Sequence, residues 1–370
     1  MQIRSLNLYR LDIPFRFSFK HHSAERVATE SVWVEAVSAA GLRGFGEACP
    51  RAYVSGEDLD SVKAFFQTWR GELLQQVNSL ASLRAWAAAH RDQIDAQPAA
   101  WCALELALLD LLAKTAGESV EALLGLAQVA GEFRYTAVLG DSSPENWQAQ
   151  VERYLALGFT DFKLKLAGDP ARDHTRLAWL HHAGVRIRVD ANNLWPGLDE
   201  ACAYFKALEL PLFAIEEPLR PAGQFRALAE LAARLQTRVI VDESCLRLAD
   251  LAQLRPVGAW IINLRVSKMG GLLRSLAVAE AAHRLGIPLI IGAQVGESSL
   301  LTRSALTLAQ SCRAQLTAQE GAFGTHLLCE DILEEPLMFG RAGVLRMPAG
   351  QTAGFGLKPR ESMPFLTWLH

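Results

Sequence analysis

From about residue 130 onward, the hydrophobic pattern of the chain switches repeatedly between the period of a helix and the period of a strand. The first clear repeat starts at Ser143-Pro144-Glu145, which is a capping residue, a proline in the first turn and an acidic residue. Apolar residues then recur at helical spacing as far as Gly158, and residues 162–166 alternate at period two. Strands that alternate with helices in this way predict a parallel sheet.

The same unit recurs, and charged residues fall at the predicted strand ends with nearly constant spacing. Lys165, Asp190, Glu216 and Asp242 follow one another at intervals of 25, 26 and 26 residues. Further strand candidates are 135–139, 260–264, 288–291 and, more weakly, 318–320. Eight such strands predict a closed β/α barrel. An open doubly wound sheet is the alternative, and the regular period and the lack of a glycine-rich phosphate motif disfavour it.

The first part of the chain has a different pattern, in which strands precede helices. Strand patterns cover 2–13, 31–37 and 42–47, and the turn Ala39-Ala40-Gly41 between the last two is typical of a hairpin. Helical patterns follow from 59 to 125, and 100–116 is apolar on nearly all sides. We therefore predict a separate α/β part ahead of the barrel, with one fully buried helix.

Composition narrows the class of protein. Of the 370 residues, 50% are hydrophobic and 21% charged, and the net charge is −3 without a run of Lys or Arg, which disfavours nucleic acid as a partner. The six cysteines form no C-x-x-C pair, which is typical of a reducing compartment. The start lacks a signal-peptide pattern, and the most apolar stretch, 99–113, is too short to span a bilayer. We expect a cytoplasmic protein that has no membrane partner.

Candidate chemistry is concentrated at the predicted strand ends. In 162–166 the apolar residues share the face toward the outer helices, so Lys163 and Lys165 point into the barrel. Asp190, Glu216 and Asp242 end the following strands, and the carboxyl ends of barrel strands open onto one rim. Because converging carboxylates repel each other, a hard divalent cation such as Mg²⁺ is the expected occupant.

A simpler interpretation exists for each of these residues alone. A single acid at a strand end is usually a helix cap, and a single lysine in a strand often extends to solvent. Two inward lysines followed by three acids at one repeat length favour a functional site instead.

In these motifs the chain resembles the enolase superfamily, and within it the muconate-cycloisomerase-like subgroup of the mandelate racemase/muconate lactonizing enzyme family. The resemblance covers nearly the whole chain and includes Gly44-Phe45-Gly46-Glu47, Lys163-Leu164-Lys165, Arg188-Val189-Asp190-Ala191-Asn192, Ile215-Glu216-Glu217-Pro218, Val241-Asp242-Glu243-Ser244 and Met269-Gly270-Gly271. It implies an α/β fold, a modified TIM barrel of the type (β/α)₇β with an α+β capping domain. The implied parts are a cap over 1–128, a catalytic barrel over 129–335 and a C-terminal segment, 336–370, that returns to the cap. It also implies a homo-oligomer.

The resemblance further implies one Mg²⁺ per subunit, with Mn²⁺ as an alternative ion, held by Asp190, Glu216 and Asp242. The implied partner is a small carboxylate substrate, which loses its α-proton to Lys165 through a metal-stabilised enediolate. Lys163 is the implied helper of that base. Further candidate substrate contacts are Asn192, Asn263, Gln294, Glu297, Glu320, His21 and Tyr53.

The chain departs from the subgroup pattern on its late strands. Arg265 stands where members have a second lysine, and an arginine is a poor base. Lys268 is three residues further along, so its side chain is expected on the face of that strand opposite to Arg265. The eighth strand has Gln319-Glu320-Gly321 in place of the Asp-x-Asp with which dipeptide epimerases hold an ammonium group.

These departures favour a one-base reaction, either a cycloisomerisation or a syn-elimination, in which Arg265 holds an anionic or enolate oxygen. Racemisation or epimerisation of an N-substituted amino acid or dipeptide is the first alternative. A barrel that binds a carboxylate without turning it over is an alternative of another class.

Overall fold

The computed structural model of the protein describes residues 1–21, 24–350 and 352–370, apart from the side chains of 19–21, 24, 25 and 325. Its first elements are β1 (Ile3–Leu11), β2 (Pro14–His21), β3 (Ala24–Ala28), β4 (Ser31–Ser38), β5 (Arg43–Ala48), α1 (Ala52–Ser55), α2 (Leu59–Gln76), α3 (Leu80–Ala89), α4 (Arg91–Ala96), α5 (Pro98–Ala116) and α6 (Val120–Leu124).

The elements that follow are β6 (Gly131–Arg134), β7 (Ala137–Leu139), α7 (Pro144–Ala156), β8 (Asp161–Lys165), α8 (Pro170–His182), β9 (Arg186–Asp190), α9 (Leu198–Ala207), β10 (Ala214–Glu216), α10 (Phe225–Leu235), β11 (Arg238–Val241), β12 (Trp260–Leu264), α11 (Val266–Met269), α12 (Leu272–Leu285), β13 (Leu289–Ile291), α13 (Ser299–Ser311), β14 (Leu316–Gln319), α14 (Gly324–Leu327), β15 (Val344–Met347) and β16 (Leu366–Trp368).

Strands β7 to β14 form one curled, eight-stranded sheet whose order in space is the order in sequence. Neighbouring strands are parallel throughout, as expected for strands joined by helices. The backbone N–H of Thr136 donates to the Gln319 carbonyl at 2.8 Å and joins the first strand to the last. The predicted barrel fold is confirmed, and the open doubly wound alternative was wrong because the strand order never reverses.

The N-terminal part is an α+β unit built on the four-stranded sheet β16-β1-β4-β5. Helix α5 lies directly on this sheet and is buried along its length from Pro98 to Ala113, which confirms the predicted buried helix. The approach is close because Gly46 has no side chain: a Cβ there would overlap the Ala103 carbonyl oxygen and lie 2.6 Å from the Ala107 nitrogen. The glycines of Gly44-Phe45-Gly46 therefore set the distance between sheet and helix.

The C-terminal segment returns to the N-terminal sheet. Strand β16 pairs antiparallel with β1, with Trp368 opposite Tyr9 and their ring centroids 5.1 Å apart. Before that, β15 pairs with β6 next to the barrel. The domain boundaries at 128 and 335 stay a prediction.

One segment differs from the expected local structure. No strand was predicted between residues 13 and 31, but β2 and β3 pair there as an antiparallel hairpin. The hairpin is attached to the segment directly after α14, where Arg16 Nε donates to the Leu328 carbonyl at 3.1 Å. None of the helices in the described ranges is long and apolar enough to cross a lipid bilayer.

Candidate active site

A cavity of about 570 Å³ lies at the carboxyl ends of the barrel strands, and both lysines of β8 line it. Phe162 and Leu164, which alternate with them, are completely buried on the other face. The period-two pattern therefore predicted the direction of Lys163 and Lys165 correctly.

Lys163 forms the centre of a buried ionic cluster. Its Nζ lies 3.1 Å from Asp190 Oδ2, 2.8 Å from Glu216 Oε2 and 3.3 Å from Glu320 Oε2. Burial alone would lower the pKa of Lys163, but the three carboxylates outweigh burial and raise it. Lys163 thus stays protonated and holds the ends of three strands together.

Lys165 has a different electrostatic environment. Burial lowers its pKa, the charges of Lys163 and Arg265 lower it further, and Asp190 acts in the opposite direction. Of the two lysines, Lys165 is therefore the one more readily deprotonated and the better proton acceptor.

Asp242 is held from two sides by cations. Arg265 Nη2 is in contact with its Oδ2, and Lys268 Nζ lies 2.8 Å from its Oδ1. The backbone around Asp242 is fixed by the buried Glu217, whose Oε1 accepts from the N–H groups of Asp242 at 2.6 Å and Ser244 at 2.7 Å. Lys268 is buried and therefore holds Asp242 from the side away from the cavity, whereas Arg265 lines the cavity and contacts Asp242 from there.

The three acidic residues are buried carboxylates, which is the type of ligand that a hard divalent cation prefers. In this structure, however, their side chains form ion pairs with lysine and arginine side chains. No three His, Cys, Asp or Glu side chains in the described part of the chain are grouped so that they could hold a metal ion without rearrangement. Glu216 Oε2 nevertheless accepts no hydrogen bond from the described residues: Lys163 Nζ is close enough for an ion pair, but the angle is unsuitable. Arg265 Nη2 lies 3.8 Å from the other oxygen of Glu216. Such buried carboxylates, balanced only by side-chain cations, suit Mg²⁺ as an alternative counterion.

Glu320 belongs to the same cluster through Arg188. The Arg188 guanidinium donates to Glu320 Oε1 at 2.8 Å, to Asp161 Oδ2 at 2.7 Å and to Thr136 Oγ1 at 2.7 Å. Burial would raise the pKa of Glu320, but Lys163 and Arg188 outweigh it and lower that pKa. This role of Arg188 was not predicted, although its position two residues before Asp190 places both side chains on the inward face.

The other predicted contact residues divide between the cavity wall and its support. Asn192 lines the cavity. Asn263 Nδ2 donates to Glu216 Oε1 at 3.2 Å, and Gln294 Oε1 accepts from Arg265 at 2.9 Å. Glu297 is buried behind Gln294, where its Oε1 accepts from the Gln294 N–H at 2.7 Å. Three of these four residues therefore position other side chains of the site.

The cap contributes Tyr53 to the cavity wall, where it interacts with Arg26. The side chain of His21 lies outside the described residues. The outer wall of the cavity was not predicted; Phe17, Tyr154 and His326 contribute to it. Those residues come from distant segments, so no local pattern could have grouped them.

Comparison with known proteins identifies the family. Residues 6–125 match the model of the mandelate racemase/muconate lactonizing enzyme N-terminal domain, and residues 146–363 match that of the enolase C-terminal domain-like family. The L-Lys-D/L-Arg epimerase of Methylococcus capsulatus is 32% identical over 94% of this chain and 96% of its own length. The aromatic dipeptide epimerase of Herpetosiphon aurantiacus is 30% identical over 87% and 88%.

A solved structure supports the same assignment over nearly the whole length. The dipeptide epimerase from Methylococcus capsulatus, complexed with Mg and the dipeptide L-Arg-D-Lys, superposes with a TM-score of 0.83 at 29% identity and covers 96% of this chain and 99% of that one. The chain therefore belongs to the mandelate racemase/muconate lactonizing enzyme family of the enolase superfamily.

Proposed function

We propose that the protein is a Mg²⁺-dependent racemase or epimerase that removes the α-proton of an N-substituted amino acid or dipeptide. The observation that carries the proposal is Lys165: a partly buried lysine with a lowered pKa, on the wall of a cavity whose rim bears a cluster of carboxylates. The residues on the late strands had favoured cycloisomerisation or elimination. Similarity to two epimerases favours the racemase or epimerase alternative.

Asp190, Glu216 and Asp242 are the residues that would hold Mg²⁺. When bound, the ion would neutralise the negative charge that develops on the substrate carboxylate as the α-proton leaves. Relatives in this family have been crystallised with Mg and a dipeptide, and the oxygen donors of this chain are of the type that Mg²⁺ prefers.

The side chains of the chain then have separate tasks. Lys165 Nζ accepts the α-proton, and Lys163 remains protonated and keeps Asp190 and Glu216 in place. Arg265, once released from Asp242, supplies a fixed positive charge beside the substrate. Lys163, Asp190 and Glu216 are buried, and their low exposure to water strengthens the interactions between them.

Arg265 is also the specific observation that favours the second candidate. A two-base racemase needs a base on each face of the α-carbon, and a guanidinium is too weak a base for that role. A one-base cycloisomerisation or syn-elimination needs only Lys165. A racemase with this site would instead return the proton from another donor, and the outcome at the α-carbon distinguishes these cases.

The test is α-proton exchange in D₂O with Mg²⁺, followed by NMR and chiral chromatography on a panel of N-acyl amino acids and dipeptides. We expect exchange with interconversion of the two configurations, and a loss of about 10²- to 10⁴-fold in Lys165→Ala. The exposed Lys206 provides the matched control, Lys206→Ala, which should keep full activity.

Three results would contradict the proposal. Full exchange in Lys165→Ala would exclude this residue as the base. An unsaturated or cyclised product without interconversion would favour the second candidate. Binding of panel compounds without exchange would favour a non-catalytic barrel.

A further inference from the structure

The outer part of the active-site cavity is walled by aromatic side chains. Phe17 of the β2–β3 hairpin, Tyr154 of α7, Phe323, His326 of α14 and Phe339 all line it. We call this set of five side chains the outer chamber. The outer chamber receives residues from the cap, from the first barrel helix and from the C-terminal loops. Its shape therefore depends on the complete fold.

His326 is at the centre of the outer chamber. Its ring centroid lies 5.6 Å from that of Tyr154, 5.8 Å from that of Phe339 and 6.4 Å from that of Phe17. Its Nε2 is 2.6 Å from the Tyr154 hydroxyl. These separations and the edge-on or tilted ring arrangements are those of well-packed aromatic clusters.

The polar pair in the chamber is uncharged near neutral pH. Burial, with a contribution from the charge of Arg153, lowers the pKa of His326 to about 4. Burial raises the pKa of Tyr154 to about 12. The chamber therefore combines aromatic surface with one neutral hydrogen-bonded pair, beside the positive charge of Arg153.

The acidic residues nearby are already paired. Apart from Asp190 and its neighbour Glu243 at the metal-binding end, the acids among the described residues that line the cavity are Asp141 and Glu320. Asp141 accepts from Arg176 Nη1 at 2.9 Å, and Glu320 is bound by arginine and lysine in the cluster described above. A substrate ammonium group in the chamber would meet the positive charge of Arg153, and the nearby carboxylates that could balance it are already paired with cations.

We infer that the outer chamber is a specificity site for an aromatic acyl group on the substrate nitrogen, so that the preferred substrate is an N-aroyl amino acid without a free ammonium group. This inference rests on the proposed function, because it assumes that the substrate carboxylate lies at the acidic end of the cavity. The volume of about 570 Å³ is within the usual range for a site that encloses a molecule of this size.

Three compounds with the same reacting residue test the inference: N-benzoyl-L-alanine, N-acetyl-L-alanine and the dipeptide L-phenylalanyl-L-alanine. The readout is kcat/KM for exchange of the alanine α-proton in D₂O. Burial of a phenyl ring should favour the benzoyl compound over the acetyl compound by about 10- to 100-fold. The benzoyl compound should also be preferred over the dipeptide, because the dipeptide carries an ammonium group as well as an aromatic ring.

Two variants link the preference to the chamber. Phe17 is 48% exposed, so Phe17→Ala should fold normally and reduce the benzoyl-to-acetyl ratio through KM. Leu248, which is 50% exposed and does not line the cavity, gives the control Leu248→Ala with an unchanged ratio. In His326→Asp a carboxylate in the chamber should shift the preference toward the dipeptide.

The outcomes separate the two proposals. Exchange that is equal for the benzoyl and acetyl compounds, or fastest for the dipeptide, would overturn the inference and leave the proposed function standing. An unchanged ratio in Phe17→Ala would also overturn it. Absence of exchange with every compound would overturn the proposed function and the inference together.

Discussion

Replacement of Arg265 by methionine should strengthen Mg²⁺ binding, because the guanidinium and the ion compete for one carboxylate. Arg265 contacts Asp242 Oδ2 and lies 3.8 Å from Glu216 Oε1, and both carboxylates are almost completely buried. Asp242 must turn from Arg265 before it can bind a metal ion. Methionine keeps an unbranched, flexible side chain and removes the guanidinium with its charge.

The size of the effect follows from the contact that is lost. A hydrogen bond between charged groups contributes about 1.5–3 kcal/mol, and a tenfold change in affinity corresponds to about 1.4 kcal/mol. Relief of this competition should therefore lower the Kd for Mg²⁺ by about 10- to 100-fold. Lys268 still holds Asp242 Oδ1 at 2.8 Å, which keeps the ligand in place in the variant.

Calorimetric titration of Mg²⁺ into protein stripped with EDTA measures the effect directly. The matched control is Arg274→Met, which removes an arginine that pairs with Asp95 away from the cavity and should leave the Kd unchanged. A Kd that stays the same or rises in Arg265→Met would refute the reasoning. It would mean that Arg265 orients Asp242 for the metal.

Three further predictions concern stability and the metal site. Gly46→Ala should destabilise the fold by about 1–3 kcal/mol in urea unfolding, because the new Cβ overlaps the backbone of α5; Gly71→Ala, in the open on α2, should instead stabilise by about 0.5–1 kcal/mol. Glu216→Gln should abolish the Mg²⁺ titration yet raise Tm in EDTA, since burial and its acidic neighbours raise the pKa of Glu216; a lower Tm would contradict this. The pKa of His326 is about 4 in the folded protein, against an ordinary value of about 6.5, so its contribution to stability is complete above pH 6.5 and is lost as the pH falls toward 4. Wild type should therefore lose up to about 3 kcal/mol more than His326→Gln over that range, and equal losses would contradict the shift.

Local patterns in the sequence were sufficient for the barrel and the inner part of the site. The alternation in β8 correctly predicted that Lys163 and Lys165 point into the cavity. The regular spacing correctly predicted that Asp190 and Glu216 lie side by side on neighbouring strands. The contact between Arg265 and Asp242 could not be predicted in the same way, because it depends on the conformation that a flexible side chain adopts between the ends of the neighbouring strands β11 and β12.

The outer chamber was beyond prediction for a related reason. Phe17, Tyr154 and Phe339 belong to segments that meet only after the cap, the barrel and the C-terminal loops have packed together. The hairpin of β2 and β3 was also not predicted, because it lies between the predicted strand ranges 2–13 and 31–37. Periodicity reports which face of an element is buried, and tertiary packing decides which elements share a cavity.

The pairing of β16 with β1 also has a consequence for the order in which the protein can form during synthesis. The Leu369 N–H donates to the Leu8 carbonyl at 2.9 Å, so one side of β1 is completed by residues that leave the ribosome after every barrel strand. Until then a nascent chain carries β1 with an open edge, where the unpaired backbone groups of another strand could bind. Translation of the barrel is therefore the interval in which this protein is most exposed to association with other nascent chains, and release of the C-terminal residues ends it.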